Sequence, residues 1–174
     1  EAPEARATQR QRAWELGLRQ ALSPAWSAFG RAGRSYRLVN VDEIYESDAF
    51  FSPEFQILRP QHSRTREAGA EWRGTGRRLR ATLFRTEVRD EIHLDPFSTG
   101  VGNTNLPPSR RQGLEFDGRW QAGRQLSLTF GYAHTDAKFL EGVLAGSPFA
   151  IGTNLNVAGK RVPLVPRHKL NLGF

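Results

Sequence analysis

Apolar residues recur at every second position in several separate segments of this chain, and this period limits its fold more than any other feature. In residues 126–132, four apolar or aromatic side chains alternate with small or polar ones. A period of two places successive side chains on opposite faces of a β-strand. The pattern therefore predicts strands with one apolar and one polar face. The same reading applies to residues 13–19, 26–36, 68–73, 79–92, 114–120 and 170–174.

Two segments fit this pattern less well than the others. Residues 4–22 are rich in helix formers, with Trp14, Leu18 and Leu22 at four-residue spacing, so a helix competes with the first strand. Gly17 and the alternation of the later segments favour the strand. In residues 79–92 the phase slips near Leu83 and Phe84, which predicts a bulge or a misplaced boundary.

The connections between the seven strands alternate strictly between short and long. The short ones contain Ser23-Pro24, Gly74-Thr75-Gly76 and Ala122-Gly123-Arg124. The long ones span residues 37–62, 93–109 and 136–167. In an antiparallel meander, alternate connections lie at opposite ends of the sheet. Short turns at one end and long loops at the other are typical of bacterial outer-membrane barrels.

Aromatic residues fall where such a barrel needs them. Trp26 opens a strand just after a short turn, and Trp72 and Trp120 close strands just before one. Tyr36 and Tyr132 fall at the opposite strand ends. These five residues predict an aromatic belt at each membrane interface. Trp14, expected in mid-strand, does not fit, and a soluble β-sandwich with Trp near its corners is the alternative.

Composition excludes several other classes of protein. The 174 residues include no Cys, which rules out disulfide frameworks and thiolate zinc sites. Gly has no triplet period, and 38% hydrophobic residues argue against full disorder. The sequence contains no run of about 18 apolar residues, so it does not predict a membrane helix. Seven strands are an odd number, so the sequence predicts an all-β segment of a larger antiparallel up-and-down transmembrane barrel.

Arginine dominates the positive charge. Only three of the 25 basic residues are Lys, which leaves 22 Arg and a net charge of +7. That excess supports a nucleic-acid-binding alternative, but the arginines form no contiguous stripe. On polar strand faces Arg19, Arg73 and Arg119 alternate with carboxylates, which predicts cross-strand ion pairs. The carboxylates are Glu15, Glu71, Glu115 and Asp117.

Signals for catalysis, metals or cofactors are weak. The histidines, His62, His93, His134 and His168, are far apart, although all fall at strand ends on the long-loop side. The glycines at 74–76 and 100–102 open no helix, so they are read as turn residues and not as a phosphate cradle. The acidic residues at 42–48 lack the spacing of a calcium loop. We predict no enzyme, no cofactor and no metal site.

Five motifs, in order along the chain, resemble those of TonB-dependent outer-membrane receptors. The first is RSYRLVNVDEIY at residues 34–45, which resembles the family's strand-to-loop segment. The others are LRPQHSRTREAG at 58–69, LFRTEVRDEI at 83–92, NTN at 103–105 with RQGLE at 111–115, and VPLVPRH at 162–168. In two places the chain departs from the family pattern: Leu38-Val39 replaces Ala-Pro, and Gln61 replaces Glu.

The resemblance implies a fold, a function and partners. It implies that the chain is the C-terminal part of a 22-stranded barrel, and that the plug domain and the closing strands lie outside residues 1–174. It implies active import of a scarce nutrient complex, usually a ferric siderophore, through the outer membrane of a Gram-negative bacterium. The implied partners are the TonB-ExbB-ExbD complex, acting through the plug, and outer-membrane lipid, with no nucleic acid. A passive porin or adhesin barrel is a further alternative.

The residues predicted to contact ligand lie at one loop base. Arg34, Tyr36 and Arg37 end one strand, and His62 is expected opposite them on the returning strand. If these side chains converge at the mouth of the barrel, their positive charge favours an anionic ligand.

Overall fold

The structure is a computed structural model that describes residues 8–48, 53–55, 57–95, 100–144 and 154–174. Seven long strands form one antiparallel sheet, in which each long strand pairs with the long strands that precede and follow it in the sequence. Their bounds are Trp14–Ala21 (β1), Trp26–Arg37 (β2), Gln61–Gly74 (β5), Arg77–Arg89 (β6), Ser109–Ala122 (β9), Leu126–Phe139 (β10) and His168–Gly173 (β13). The predicted strand over residues 13–19 is confirmed and the rival helix is wrong.

The predicted loops contain additional short strands. These are Tyr45–Asp48 (β3), Pro53–Phe55 (β4), Glu91–Asp95 (β7), Gly100–Leu106 (β8), Val143–Leu144 (β11) and Leu155–Asn156 (β12), together with a 3-10 turn at Val41–Glu43. Strands β4, β3, β8 and β7 form a second sheet, because β3 of one long connection pairs with β8 of the next. Two long connections therefore fold together. Within the described residues, no helix has the length and hydropathy needed to span a membrane.

Short turns and long connections lie at opposite ends of the main sheet, as predicted. The β5–β6 turn has two residues, Thr75 and Gly76, and the β9–β10 turn has three, 123–125. Gly76 and Gly123 adopt positive φ angles of 65° and 79°, which side chains with a Cβ atom rarely accept. We call this the turn end and the opposite end the loop end.

Strand alternation gives the sheet an apolar and a polar face. The apolar face carries Trp26, Leu83, Phe116 and Phe130. The polar face carries Glu71, its direct cross-strand partners and every second residue from these along each strand. On the apolar face, Leu16 and Leu18 are 72% and 73% exposed. So much exposed apolar surface indicates that this face is an interaction surface.

The predicted slip at Leu83 and Phe84 is not a bulge. Strand β6 keeps an uninterrupted register with both β5 and β9. The pattern breaks because Phe84 lies on the polar face, where it is paired with Gly113 of β9. A Cβ atom on Gly113 would lie 3.1 Å from the Phe84 ring. The same Cβ atom would clash with the backbone carbonyl of His134, so glycine is needed where β9 passes between Phe84 and β10.

The apolar band shifts along the strands from one side of the sheet to the other. On β1 it begins at Trp14, which is paired with Arg34 of β2. On β10 the band ends at Tyr132. The successive cross-strand partners of Tyr132 are Phe116, Ala81, Ala70 and Ala28, and Ala28 lies six residues from Arg34 on β2. That drift is expected of tilted barrel strands. Trp14 therefore lies at the loop-end margin, and its expected mid-strand position is wrong because β1 begins at Trp14.

The buried apolar residues lie at the loop end and not in the middle of the sheet. Ala137 and Phe139 of β10 pack with Val157 and Val162 from the last long connection. Leu58, Val88 and Ile92 are buried near the base of the earlier connections. This packing fixes the long connections to the strands that carry them.

Candidate functional site

The polar face holds a buried carboxylate bound by three arginines. Glu71 is 1% exposed. Its Oε1 accepts a hydrogen bond from Arg19 at 2.8 Å and another from Arg73, and its Oε2 accepts one from Arg78 at 2.7 Å. Arg19 also donates to Ser27 Oγ at 2.9 Å. This one cluster connects β1, β2, β5 and β6.

A second cluster lies four residues further along β5 toward the loop end. Arg31 donates to Glu67 Oε1 at 2.8 Å and to Glu15 Oε2 at 3.3 Å, which connects β2 with both of its neighbours. Of the arginines predicted to form cross-strand ion pairs, Arg19 does so, whereas Arg73 pairs with Glu71 of its own strand. Arg31 forms a cross-strand pair that was not predicted. Charge-assisted pairs of this kind stiffen the wall, although the half-exposed arginines limit their energy.

Beside these clusters the polar face contains an open hollow of about 400 Å³. Six charged residues line it: Glu67, Arg78, Arg80, Glu115, Asp117 and Arg119. The rest of the lining is Thr82 and Thr129, together with Gly118 and Phe130, which have the parity of the apolar face. Within the described part of the chain, Glu115, Asp117 and Arg119 form no ion pair. These charges are therefore available to a molecule that lies against the polar face.

At the loop end, Arg37 fixes the first long connection. Its Nη1 donates to Glu43 Oε1 and Oε2 at 2.7 and 3.0 Å, and its Nη2 donates to the Ile92 carbonyl at 3.2 Å. The Asn40 amide also donates to Glu43 Oε2, at 2.8 Å. Burial of Glu43 acts to raise its pKa, but the bonds from Asn40 and Arg37 outweigh it, so the pKa of Glu43 lies below its ordinary value.

The next connection is fixed in the same manner. Arg111 of β9 donates to both carboxylate oxygens of Glu91, at 2.7 and 2.8 Å. Arg59 pairs with Asp90 at 2.8 Å, and Asn105 bonds the backbone of both Arg59 and Asp90. Asp90 has φ 53°, and these contacts hold the turn that it makes. Arg37, Arg59 and Arg111 are thus each paired with a carboxylate.

The structure divides the four predicted ligand contacts between the two faces of the sheet. Tyr36 and His62 are direct cross-strand partners, as expected. By strand parity, Arg34, Tyr36 and His62 lie on the apolar face, whereas Arg37 lies on the polar face. The four side chains therefore do not converge on one surface, because Arg37 differs by one position from Tyr36. Their role in ligand contact stays a prediction.

The five predicted interface aromatics all lie on the apolar face, and four of them are near strand ends. Trp26 is directly paired with Trp72, and Trp120 is one pair further toward the turn end, beside Arg77. Tyr36 lies at the loop end of β2, but the predicted strand-end position of Tyr132 is wrong, because β10 continues to Phe139 and leaves Tyr132 in mid-strand. Their contact with the membrane interface stays a prediction.

Two of the histidines come together, which the linear sequence does not show. His134 and His168 are paired in register, with ring centroids 4.8 Å apart, and Tyr132 Oη lies 2.8 Å from His168 Nδ1. His62 lies 2.7 Å from Gln11. Among the described residues no three His, Asp or Glu side chains are placed to hold a metal ion.

Fold and faces together define the class of protein: the partial wall of an antiparallel transmembrane β-barrel, still open at both edges. A family model described as "TonB dependent receptor-like, beta-barrel" matches residues 4–174. The chain therefore belongs to the TonB-dependent receptor β-barrel family, and the resemblance in its motifs is confirmed.

Three solved structures of similar fold are described as receptors. The ferric yersiniabactin uptake receptor FyuA from Yersinia pestis has a TM-score of 0.64 and 18% identity over 90% of this chain. The ferric-catecholate import receptor Fiu from E. coli has a TM-score of 0.64 and 20% identity over 92%. The siderophore receptor PirA from Pseudomonas aeruginosa has a TM-score of 0.59 and 19% identity over 72%. The chain spans between about a fifth and a quarter of their lengths, 21%, 21% and 25%.

Proposed function

We propose that this chain is part of the barrel wall of an outer-membrane receptor that imports a scarce nutrient complex, with a ferric siderophore as the preferred cargo. The family match over residues 4–174 carries the proposal. The similar receptors FyuA, Fiu and PirA, which are described as receptors for a ferric complex or a siderophore, support the choice of cargo. The location is the outer membrane of a Gram-negative bacterium, with outer-membrane lipid against the apolar face.

The remaining parts of the receptor lie outside residues 1–174 in this proposal. A plug domain lies against the polar face, where Glu115, Asp117 and Arg119 offer it charged partners, and further strands close the barrel. The plug transmits energy from the TonB-ExbB-ExbD complex. A plug-sized domain with a TonB-contacting segment encoded upstream of this chain is therefore expected.

Arg37 is the predicted contact residue best placed to act on cargo from inside. It lies on the polar face at the loop end and holds the first long connection through Glu43. Loss of this bond frees the connection that forms part of the mouth. We expect Arg37→Gln to weaken cargo binding, and Arg124→Gln, which removes the same charge at a turn, to leave it unchanged.

Uptake of radioiron-labelled catecholate and hydroxamate siderophores by cells that produce the complete receptor tests the proposal. Energy-dependent import predicts uptake of one of them in a host with TonB and none in an otherwise identical host without TonB. Equal uptake in both hosts would support a passive porin. Absence of siderophore binding in either host would contradict the choice of cargo.

Among the described residues, the arginines do not gather on one surface, as the nucleic-acid alternative would require. The arginines are divided between the polar face, with Arg19 and Arg31, and the apolar face, with Arg34 and Arg66. A salt-dependent gel shift by a detergent-free preparation of this chain would revive that alternative.

A further inference from the structure

Two histidines lie directly opposite each other on the last strand pair of the main sheet. His134 of β10 is paired in register with His168 of β13, and their ring centroids are 4.8 Å apart, with 45° between the ring planes. Like charges at directly opposed positions destabilise a sheet, whereas neutral imidazoles are the commonest metal ligands in proteins. The pair is therefore better suited to binding one cation than to carrying two positive charges.

The spacing of the two rings allows one metal ion to bind both. A metal–nitrogen distance of about 2.0–2.1 Å places the ion about 3.2 Å from the centre of each imidazole ring. Ring centres 4.8 Å apart then subtend an angle of about 97° at the ion. This angle fits neighbouring ligands of tetragonal Cu²⁺ or Ni²⁺, and it is close to the tetrahedral angle that Zn²⁺ prefers.

A third side chain orients one of the rings. Tyr132 Oη lies 2.8 Å from His168 Nδ1. When Nδ1 donates its proton to this oxygen, Nε2 of His168 keeps its lone pair for a metal ion. Histidines that bind metals usually have their other ring nitrogen held in this way. The His134 ring forms no hydrogen bond within the described residues, and its partner on β9 is the apolar Leu114.

Solvent completes the coordination of an ion at this position. Asp136 follows His134 on the same face, but its carboxylate lies 3.0 Å from Lys138 Nζ. As noted above, the described residues contain no group of three acidic or histidine side chains for a metal ion. His168 is exposed and His134 is half-buried, so ions reach the pair from solvent. The two imidazoles are thus the protein ligands, and water fills the other positions.

We propose that His134 and His168 form a binding site for a divalent transition-metal ion at the loop end of the apolar face, with Cu²⁺ bound most tightly. Cu²⁺ exceeds Ni²⁺ and Zn²⁺ in its general affinity for nitrogen ligands. Tyr132 is a positioning residue that acts through His168. The ion joins β10 to β13, which residues 140–167 separate in the sequence, and so stabilises their pairing.

This site differs from the sequence expectation of no metal site. That expectation followed from the distance between the histidines along the chain, and only the pairing of β10 with β13 brings two of them together. The site goes beyond the proposed function and is independent of the cargo, because it lies on the opposite face from Arg37 and the polar hollow.

Copper titration of the complete receptor in neutral detergent tests the site, with calorimetry as the measurement. His134→Gln and His168→Gln each remove one of two linked ligands, so either should lower the affinity for Cu²⁺ by about a hundredfold or more. The double variant should bind no more weakly than the weaker single variant, since either substitution already removes chelation. His93→Gln, which removes a histidine of β7 opposite Thr104, is the control and should bind like the wild type.

Electron paramagnetic resonance of bound Cu²⁺ identifies the ligands directly. The wild type should show magnetic coupling to two imidazoles, and either single variant to one at most. Tyr132→Phe keeps both imidazoles, so it should keep the two-imidazole signal while its affinity falls by about tenfold. An unchanged affinity in this variant would overturn the positioning role of Tyr132.

Thermal unfolding supplies a third measurement. A ligand that binds only the folded state raises its melting temperature. Addition of Cu²⁺ should therefore raise the Tm of the wild type and of His93→Gln, and leave that of His134→Gln unchanged.

Three outcomes would overturn the metal site. They are an unchanged affinity for Cu²⁺ in both single variants, an equal loss of affinity in His93→Gln, and coupling to a single imidazole in the wild type. The second outcome would show adventitious copper binding only. Siderophore uptake separates this site from the proposed function, because the His134 and His168 variants should import like the wild type, and a receptor that imports nothing can still bind copper.

Discussion

Glu71 is the residue whose substitution we expect to weaken the wall most. Glu71→Gln leaves Arg19, Arg73 and Arg78 without their common carboxylate at a site that is 1% exposed. Removal of one partner from a fully buried pair costs about 3–5 kcal/mol, and because these arginines are half exposed we expect about 1–3 kcal/mol. Unfolding of the complete receptor in detergent micelles by denaturant measures this change.

Glu15 supplies the control for that measurement. It contacts Arg31 at 3.3 Å, but its side chain is 65% exposed. We expect Glu15→Gln to change the free energy of unfolding by no more than about 0.5 kcal/mol. Equal effects of the two substitutions would show that burial of Glu71 does not increase the contribution of its ion pairs to the free energy of unfolding.

At Glu43 we expect a pH-dependent contact. Its pKa is lowered in the folded state, so the carboxylate stabilises the connection fully above the ordinary Glu pKa of about 4.3 and loses that effect as pH falls through the lowered value. Protection of the amides of residues 40–44 from hydrogen exchange, corrected for intrinsic rates, should stay constant from about pH 7 to 5. At pH values under about 4 the protection should decrease.

Glu43→Gln is the matched variant for this pH dependence. It keeps the side-chain shape but removes the titrating carboxyl, so protection should be lower at neutral pH and should no longer respond to acid. A variant that keeps the same acid response as the wild type would assign the titration to another group.

At the scale of strands, the sequence predicted the elements well and the pairing only in part. Period-two alternation placed all seven long strands, and the Gly74-Thr75-Gly76 turn fixes the β5–β6 register once its two loop residues are known. From that register the opposition of Arg66 and Arg85 follows. The register of β2 with β5 was beyond sequence reasoning, because residues 38–60 separate the two strands and do not limit how they align.

Cysteine pairs test the β2–β5 register directly. Ala28 and Ala70 are directly opposed on the apolar face, and directly opposed residues lie about 4.5–5.5 Å apart between Cα atoms, within disulfide range. The chain has no other Cys. We expect Ala28→Cys, Ala70→Cys to cross-link on mild oxidation, as shown by mobility on gels with and without reductant.

The offset pair Ala28→Cys, Ala68→Cys serves as its control. Ala68 lies opposite Gly30, one step away on the same face. Preferential cross-linking of the offset pair would mean that β2 and β5 are aligned two residues differently, which would also separate Arg34 from Arg64.

The candidate site was less predictable than the strands. Arg37 and Tyr36 are adjacent in sequence, so their side chains lie on opposite faces of a strand. The prediction grouped them because both lie near the mouth, and it did not take this alternation into account. The strands β3 and β8 were read as loops because pairing between two long connections leaves little local periodicity. The His134 and His168 pair also depends on a long connection, between β10 and β13.

At the scale of the whole molecule, the open sheet determines how the isolated chain should behave. Strands β1 and β13 are the two edges of the seven-stranded sheet and offer unpaired backbone groups. The apolar face adds a large surface that water does not favour. We expect residues 1–174 alone to aggregate without detergent, as measured by light scattering. A monodisperse species with a cooperative melting transition would contradict this.

Lipid contact by alternate residues of one strand is the most direct test of the account. Spin labels placed one at a time at residues 126–132 of β10, in the complete receptor in a bilayer, report access to oxygen from lipid and to a water-soluble nickel complex. We predict high oxygen access at Leu126, Leu128, Phe130 and Tyr132, and high nickel access at Ser127, Thr129 and Gly131. Nickel access at all seven positions, without alternation, would contradict a barrel wall with one face in the membrane.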